Sequence, residues 1–142
     1  MKVIIASDHG GVNLKASVVQ KLKDNGVDVT DLGPDNTDSV DYPDYAKPAA
    51  QKVASGEFDR GILICGTGIG MSIAANKVKG IRCALVHDTF SAHATREHNN
   101  SNMLAMGERV IGPGLADDIV NIWLNTEYEG GRHERRVCKI EE

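Results

Sequence analysis

Aromatic residues are scarce in this 142-residue sequence: phenylalanine, tryptophan and tyrosine together make up 4% of it. A core with so few rings must be built from valine, isoleucine, leucine, alanine and methionine. A surplus of basic residues is also missing, since 16 Lys and Arg stand against 20 Asp and Glu, for a net charge of −4. Proteins that bind the phosphate backbone usually carry a basic surplus, so we expect no nucleic-acid partner.

Long apolar runs are absent as well. No stretch approaches the ~20 apolar residues that a membrane-spanning helix needs. The apolar run after Lys2 is much shorter than the ~7–15 residues at the centre of a secretion signal. We therefore expect a cytoplasmic protein that has no membrane partner.

The cysteines and histidines form no recognisable metal or disulfide pattern. Cys65, Cys83 and Cys138 are odd in number and widely spaced, and no CxxC pair is present. The histidines show neither the HxxxH nor the HExxH spacing of zinc sites. The sequence therefore predicts neither a metal site nor a bound cofactor.

Glycine, by contrast, is abundant, with 15 residues, and short apolar runs alternate with longer amphipathic stretches. Continuous apolar strands between helices are typical of a parallel sheet covered on both faces. The sequence predicts one domain over residues 1–142, an α/β fold with a doubly wound, five-stranded parallel sheet of Rossmann or flavodoxin-like type and strand order 2-1-3-4-5. The predicted strands are Lys2–Ser7, Val27–Leu32, Arg60–Cys65, Ile81–Val86 and Asn102–Met106.

Helices are predicted between and after these strands. Two of their bounds are set by proline, since Pro43 suits a first helical turn and Pro113 opens a helix after the last strand. Pro48 should kink the helix that ends near Ser55 or mark its true start. The remaining segment, Tyr128–Glu142, is a polar tail of mixed charge.

Two loops are expected to meet where strands 1 and 3 lie side by side, because ligands of such folds bind beyond the carboxyl ends of the strands. One is Asp8–Gly11 and the other is Cys65–Gly70. Glycines in the second loop can turn backbone amides toward an anion; the alternative is a tight strand-to-helix turn. No Gly-Lys-Ser/Thr follows, and Met71 replaces the third glycine of a dinucleotide fingerprint, so neither ATP nor NAD is indicated.

Three further groups carry chemistry, each with a structural alternative. Cys65 lies next to a helix start, where a thiol can act as base or nucleophile; an inert buried cysteine is the alternative. His98 can serve as an acid or base, or cap its helix against the dipole. Arg132 and Arg136 would share one face of a helix and could bind phosphate, or be part of a solvated tail. Because His98 is expected at the amino ends of the strands and Cys65 at the carboxyl ends, a shared site would need a second subunit.

Taken in order, several segments resemble type B ribose-5-phosphate isomerase, whose wider family includes galactose- and allose-6-phosphate isomerases. The matching segments are Ser7–Gly11, Asp41–Pro43, Ile64–Gly70, Ser72–Lys77, Arg96–Asn99 and Gly130–His133. One branch of that family carries a glutamate base at the position of Met71. This sequence has Cys65 and lacks that glutamate, so it is similar to the cysteine branch.

The resemblance implies roles for individual residues. Cys65 would move the proton between C1 and C2, Thr67 and the amides after it would hold the enediolate oxygen, and His98 would help to open the furanose ring. Asp8 would contact sugar hydroxyls, His9, Arg132 and Arg136 would bind phosphate, and Asn99 and Arg109 would contribute across a dimer. The full set of implied substrate-binding residues is Asp8, His9, Tyr42, Gly66, Gly68, Ile69, Gly70, Asn99, Arg109, Arg132 and Arg136.

It also implies a metal-independent aldose–ketose isomerase that interconverts D-ribose 5-phosphate and D-ribulose 5-phosphate in the pentose phosphate pathway. The partner would be a second copy, in a homodimer with shared active sites, with a tetramer left open, and the segment 128–142 would contribute to the site or the dimer interface. A hexose-6-phosphate isomerase, a non-catalytic module that binds a sugar phosphate or nucleotide, and thiol redox chemistry are the alternatives.

Overall fold

The computed structural model describes residues 1–142. Its strands are β1 (Lys2–Ser7), β2 (Asp28–Asp31), β3 (Arg60–Cys65), β4 (Cys83–Leu85) and β5 (Met103–Gly107). Its helices are α1 (Val12–Asp24), α2 (Pro43–Ala54), α3 (Ile69–Ala75), α4 (Thr89–Asn99), α5 (Pro113–Asn125) and α6 (Arg132–Ile140). A single 3-10 turn, His9–Gly11, connects β1 to α1.

The five strands form one parallel sheet in the order β2-β1-β3-β5-β4. The predicted fold class is confirmed, but the predicted order 2-1-3-4-5 is wrong in its last two strands. Every residue of β5 is buried, whereas β4 has three residues and ends at Leu85, which is 41% exposed. The inner position is the drier one, so the fully apolar strand occupies it and the short strand lies at the edge.

This order distributes the helices over both faces of the sheet, because right-handed crossovers that run in opposite directions emerge on opposite faces. One apolar cluster joins the sheet to α1, α4 and α5, and it contains Val18, Ala92 and Trp123. The other joins it to α2 and α3, and it contains Ala50 and Met71. Successive strand residues alternate between the two clusters, as the pleat of a strand requires.

Trp123 is the single tryptophan of the chain and lies at 0% exposure on the α1, α4 and α5 side. Its Nε1–H donates to Ser101 Oγ at 2.9 Å. The guanidinium carbon of Arg60, at the start of β3, lies 5.4 Å from the ring centroid. A buried indole of this kind needs a polar partner for its N–H, and Ser101 supplies one.

α2 runs from Pro43 to Ala54, as predicted, and Pro48 lies inside it, so the alternative that Pro48 marks the true start of this helix is wrong. The C-terminal segment differs from the prediction. The tail that sequence patterning left as polar and mixed in charge contains α6, whose His133 and Val137 are buried. These two residues are four apart and pack one face of α6 toward α4. None of the helices combines the length and the hydropathy that crossing a bilayer requires.

Candidate active site

The carboxyl ends of β1 and β3 lie side by side, with Ser7 paired to Ile64. The two strands therefore deliver Asp8 and Cys65 to the same edge of the sheet. The Asp8 amide donates to the carbonyl oxygen of Ile64 at 3.1 Å, which ties the first turn of one loop to the strand that carries the other. The structure therefore brings the two loops together, as the sequence predicts, and their use as a ligand-binding crevice stays a prediction.

Cys65 and Thr67 present their functional atoms within one tight turn. The Gly68 amide donates to Cys65 Sγ at 3.0 Å, so the sulfur has a donor that can pair with a negative charge. The Ile69 amide donates to Thr67 Oγ1 at 3.3 Å. Because that contact uses Thr67 as an acceptor, its hydroxyl proton is left to donate to an oxygen outside the loop.

The shape of this turn depends on glycine. Gly68 has φ +77°, and a Cβ there would lie 2.8 Å from the carbonyl carbon of Met106. A Cβ at Gly70 would lie 2.6 Å from Cε1 of Tyr42, so that ring lies directly against the start of α3. Tyr42 thus belongs to this edge, and it is 42% exposed.

Asp8 and His9 are fixed by the backbone. Asp8 Oδ1 accepts from the Gly10 amide at 2.8 Å, which leaves its second carboxylate oxygen for a ligand. His9 Nδ1 accepts from the Val40 amide at 3.2 Å. Since a backbone N–H can only donate, Nδ1 carries no proton in this arrangement, and the ring proton lies on Nε2, where it can be donated to an anion.

Arg109 also lies at this edge. Its amide donates to the carbonyl oxygen of Gly66 at 3.0 Å, and its Nη1 lies 3.2 Å from the position of a Cβ on Gly66. Arg109 therefore lies at the same edge of the sheet as Cys65 of its own chain. The resemblance implies that Arg109, like Asn99, contributes across a dimer, and this stays a prediction.

His98 and Asn99 end α4 at the opposite edge of the sheet. The chain turns there at Asn100, which has the left-handed φ of +48° that asparagine tolerates. The carbonyl oxygen of Asn100 accepts from Nε of Arg82, immediately before β4. This contact places the end of α4 at the amino ends of the strands, as the sequence predicts.

α6 brings its own side chains to His98. The rings of His98 and His133 are stacked, with centroids 4.5 Å apart and planes inclined by 19°. Arg132 and Arg136 lie on exposed positions of the same short helix. Beneath it, burial and the neighbouring guanidiniums of Arg60 and Arg82 lower the pKa of Arg96 to about 10. Three guanidiniums, those of Arg60, Arg82 and Arg96, therefore lie close together at the amino edge, where Glu141 pairs with Arg82.

His98, Glu129 and His133 could each offer one metal-ligand atom within 4.8 Å of the others. The lone pair of an imidazole nitrogen lies in the plane of its ring. Because the two rings are stacked, with centroids 4.5 Å apart and planes inclined by only 19°, one ion cannot lie on the lone pairs of both rings. One ring would have to turn before the three residues could hold a metal.

The implied residues therefore form two groups on one chain. β3 separates them, and the five steps of about 3.3 Å between its six residues put the two edges roughly 17 Å apart. The carboxyl-edge group is Asp8, His9, Tyr42, Cys65, Gly66, Thr67, Gly68, Ile69, Gly70 and Arg109. The amino-edge group is His98, Asn99, Arg132 and Arg136. His9 and the two α6 arginines, implied to bind one phosphate, are thus not together within a chain.

Sequence reasoning gave no role to His87 or Glu108, which also lie at the carboxyl edge. The Gly107 amide donates to His87 Nε2 at 2.9 Å, and Glu108 Oε1 accepts from the Leu14 amide at 2.6 Å, in the first turn of α1. His87 directly follows the predicted strand Ile81–Val86, and Glu108 lies two residues after the predicted strand Asn102–Met106. The rule that strand ends carry the site would have found them, whereas a search for metal spacing could not.

The chain matches the family described as Ribose/Galactose Isomerase over residues 3–140. It is 50% identical over 139 residues to ribose-5-phosphate isomerase B of Escherichia coli, covering 98% of this chain and 93% of that protein. The structure of ribose-5-phosphate isomerase B from Clostridium thermocellum superposes with a TM-score of 0.98 at 55% identity, covering 99% of this chain and 95% of that one. That of Mycoplasma genitalium, with bound ribulose-5-phosphate, gives 0.95 at 44% identity, with 99% and 93% covered.

Proposed function

This chain belongs to the ribose/galactose isomerase family, and from that premise we propose that it is an aldose–ketose isomerase interconverting D-ribose 5-phosphate and D-ribulose 5-phosphate. The observation that carries the proposal is the turn in which the Cys65 sulfur and the Thr67 hydroxyl follow a rigid strand end. A base and an oxyanion donor in one fixed loop are what removal of a proton next to a carbonyl requires.

Cys65 is the base in this proposal. Its thiolate takes the C2 proton of the open-chain aldose, the C–H electron pair forms the C1–C2 double bond, and the carbonyl oxygen on C1 becomes the enediolate oxygen. A proton is then exchanged between the two oxygens, and Cys65 returns its proton to C1, which yields the ketose. These reaction steps consume no oxidant or reductant, because their net effect on the carbon atoms is to move one hydrogen from C2 to C1.

The neighbouring groups stabilise and orient. Thr67 donates its free hydroxyl proton to the enediolate oxygen, and loss of one such donor costs about 3–4 kcal/mol in comparable sites. Asp8 holds sugar hydroxyls with its free carboxylate oxygen. The phosphate binds to His9 through Nε2–H and to the forks of Arg132 and Arg136, and its binding free energy orients the reacting carbons.

A homodimer is the second element of the proposal, because Cys65 and His98 of one chain lie at opposite edges. Apolar side chains are also exposed on α3, at the end of β4 and at the start of α4, and an apolar patch there favours a protein partner. They are Ile69 at 49%, Ile73 at 57%, Leu85 at 41% and Phe90 at 78% exposure. A second copy would cover this patch and bring its own His98 and arginines to the loop. We place the dimer in the cytoplasm.

The first test measures isomerisation of D-ribose 5-phosphate, with and without a metal chelator, by the wild type, Cys65→Ala and the matched control Cys83→Ala. We expect turnover that survives the chelator, is lost in Cys65→Ala and persists in Cys83→Ala. Full activity of Cys65→Ala would refute the base assignment. An inactive but folded wild type that still binds the substrate would support the non-catalytic alternative.

The same assay with allose 6-phosphate and galactose 6-phosphate tests the substrate. We expect a kcat/KM for ribose 5-phosphate at least tenfold above either hexose phosphate. The reverse order would leave the isomerase chemistry in place and overturn the assignment of the pentose.

Mixing two inactive variants tests the shared site. In a heterodimer of Cys65→Ala with His98→Asn, one site keeps both residues and the other loses both. Random mixing makes half of the dimers heterodimers, so about a quarter of wild-type activity should return. No recovery from a mixture shown to have exchanged subunits, or an active monomer, would contradict the proposal.

A further inference from the structure

His87 is a half-buried histidine just beyond the carboxyl end of β4. One hydrogen bond sets its role in the structure. The Gly107 amide donates to its Nε2 at 2.9 Å. A backbone amide can only donate, so Nε2 must offer a lone pair, and the ring is neutral with its proton on Nδ1. Burial lowers the pKa of His87, against the opposing effect of Asp88, and this favours the same neutral form.

The Gly107 amide has lost the partner that a continuing strand would have supplied. Ala105, two residues earlier, faces β4 and accepts from the Val86 amide at 3.1 Å. The backbone amide of Gly107 also points to the side of β5 next to β4, since alternate residues of a strand point their backbone groups the same way. β4 has already ended at Leu85, and the imidazole takes the place of the missing strand.

Gly107 in turn supports the loop that carries the chemistry. It pairs with Cys65 across the sheet, and a Cβ on Gly107 would lie 2.7 Å from Cα of Thr67. The next two amides, of Glu108 and Arg109, donate to the carbonyl oxygens of Cys65 and Gly66 at 2.9 and 3.0 Å. Two consecutive amides thus hold this short segment against the loop, and the amide directly before them, that of Gly107, donates to His87 on the other side.

We propose that His87 is a positioning residue for the isomerisation: its unprotonated Nε2 fixes Gly107 and, through Gly107, the Cys65–Gly68 turn. The inference rests on the proposed function, because it assumes that Cys65 and Thr67 act on the substrate. His87 makes no contact with the reacting atoms. It acts on turnover because oxyanion donors and bases lose effect when displaced by a fraction of an ångström, and a 1 Å error can cost about 100-fold.

The test compares His87→Leu, which removes the acceptor, with His87→Gln, whose amide oxygen can accept from the Gly107 amide. His93→Leu, the same exchange at an exposed position of α4, is the control. We expect His87→Leu to lower kcat about 10- to 100-fold with KM within threefold. His87→Gln should recover most of the loss, and His93→Leu should stay within twofold of the wild type.

Each outcome decides the matter. A fully active His87→Leu overturns the inference, and so does a His87→Gln as impaired as His87→Leu at equal thermal stability. If His87→Leu does not fold, nitrogen-15 NMR of the wild-type ring decides, since a proton on Nε2 rather than Nδ1 overturns the inference. A wild type without isomerase activity refutes the proposed function instead, and leaves the tautomer measurement unaffected.

Discussion

Replacement of Gly107 by alanine should slow turnover strongly and cost little stability. Gly107 has no positive φ to protect, so the effect comes from space alone. A Cβ at this position would lie 2.7 Å from both Cα and the carbonyl carbon of Thr67, and 2.8 Å from the carbonyl oxygen of Gly66. Carbon atoms in contact prefer about 3.5–4.0 Å, so the two backbones must separate by about 1 Å.

The magnitudes follow from this overlap. Inserting a methyl group into a packed site costs about 1–3 kcal/mol, and the smaller entropy of the unfolded alanine chain returns about 0.4–1 kcal/mol. We therefore expect a loss of about 1–2 kcal/mol in the free energy of unfolding, which lowers Tm by about 2–4 °C per kcal/mol in a domain of this size. A displacement of about 1 Å at Thr67 should lower kcat about 10- to 100-fold.

Gly114→Ala is the matched control. Gly114 lies in the first turn of α5, and a Cβ there has nothing within 4 Å. The same exchange should raise the free energy of unfolding by about 0.4–1 kcal/mol and leave kcat within twofold. Thermal melting by circular dichroism and the ribose 5-phosphate assay measure both variants. A Gly107→Ala protein with wild-type kcat and Tm would refute the reasoning that this close approach sets the loop.

Three further outcomes are expected. Lys15 is 2% exposed and its Nζ pairs with Asp31 Oδ1 at 2.8 Å, so Lys15→Met should cost about 1–3 kcal/mol in urea unfolding; unchanged stability would contradict this. Because the pKa of His87 lies below its ordinary value of 6.5, its contribution is complete above that pH and is lost as pH falls below it. The wild type should therefore lose more stability than His87→Gln between pH 7.5 and 5.5, and equal losses would show that the ring does not titrate in this range. Burial raises the pKa of Cys83 to about 12, so iodoacetamide at pH 8 should alkylate the exposed Cys138 before Cys83; mass spectrometry that finds Cys83 labelled before Cys138 would be the opposite result.

The sheet was largely predictable from sequence, because its central strands are continuous apolar runs whose ends coincide with glycine-rich turns. The position of β4 was not. The predicted order and the observed order both satisfy right-handed crossovers; they differ in which strand lies outside and, as a result, in the face of the sheet that α4 covers. The apolar character of the two predicted strands is too similar to distinguish them; the difference lies in burial, since the five residues of β5 are all buried while β4 follows Arg82 and ends at the exposed Leu85.

α6 was missed for a different reason. Its buried face consists of Val137 and His133, which is too little apolar surface to show helical periodicity among charged neighbours. The helix forms because tertiary packing against α4 supplies what the local sequence lacks. The sequence predicts that Arg132 and Arg136 share one face if their segment is helical, and the segment does form α6.

The strand-end rule placed Asp8 and the Cys65–Gly70 loop correctly, and it also placed His98 at the far edge. It could not give the protonation of His9 or the use of His87, since both depend on which backbone amide reaches the ring. Hydrogen bonds between segments distant in sequence leave no periodic signal. The meeting of the two edges in one site remains a prediction.

Trp123 gives the molecule a built-in optical probe. Its indole is surrounded by Arg60 and Ser101, both near the amino ends of the strands, so its emission reports whether α5 and the sheet stay packed there. The Cys65 loop lies at the other edge, so a change confined to that loop should leave the emission of Trp123 unaltered. A loop variant that loses turnover while keeping wild-type tryptophan emission has therefore lost catalysis and kept the packing of α5 on the sheet. Fluorescence thus distinguishes a catalytic defect from a folding defect without a crystal structure.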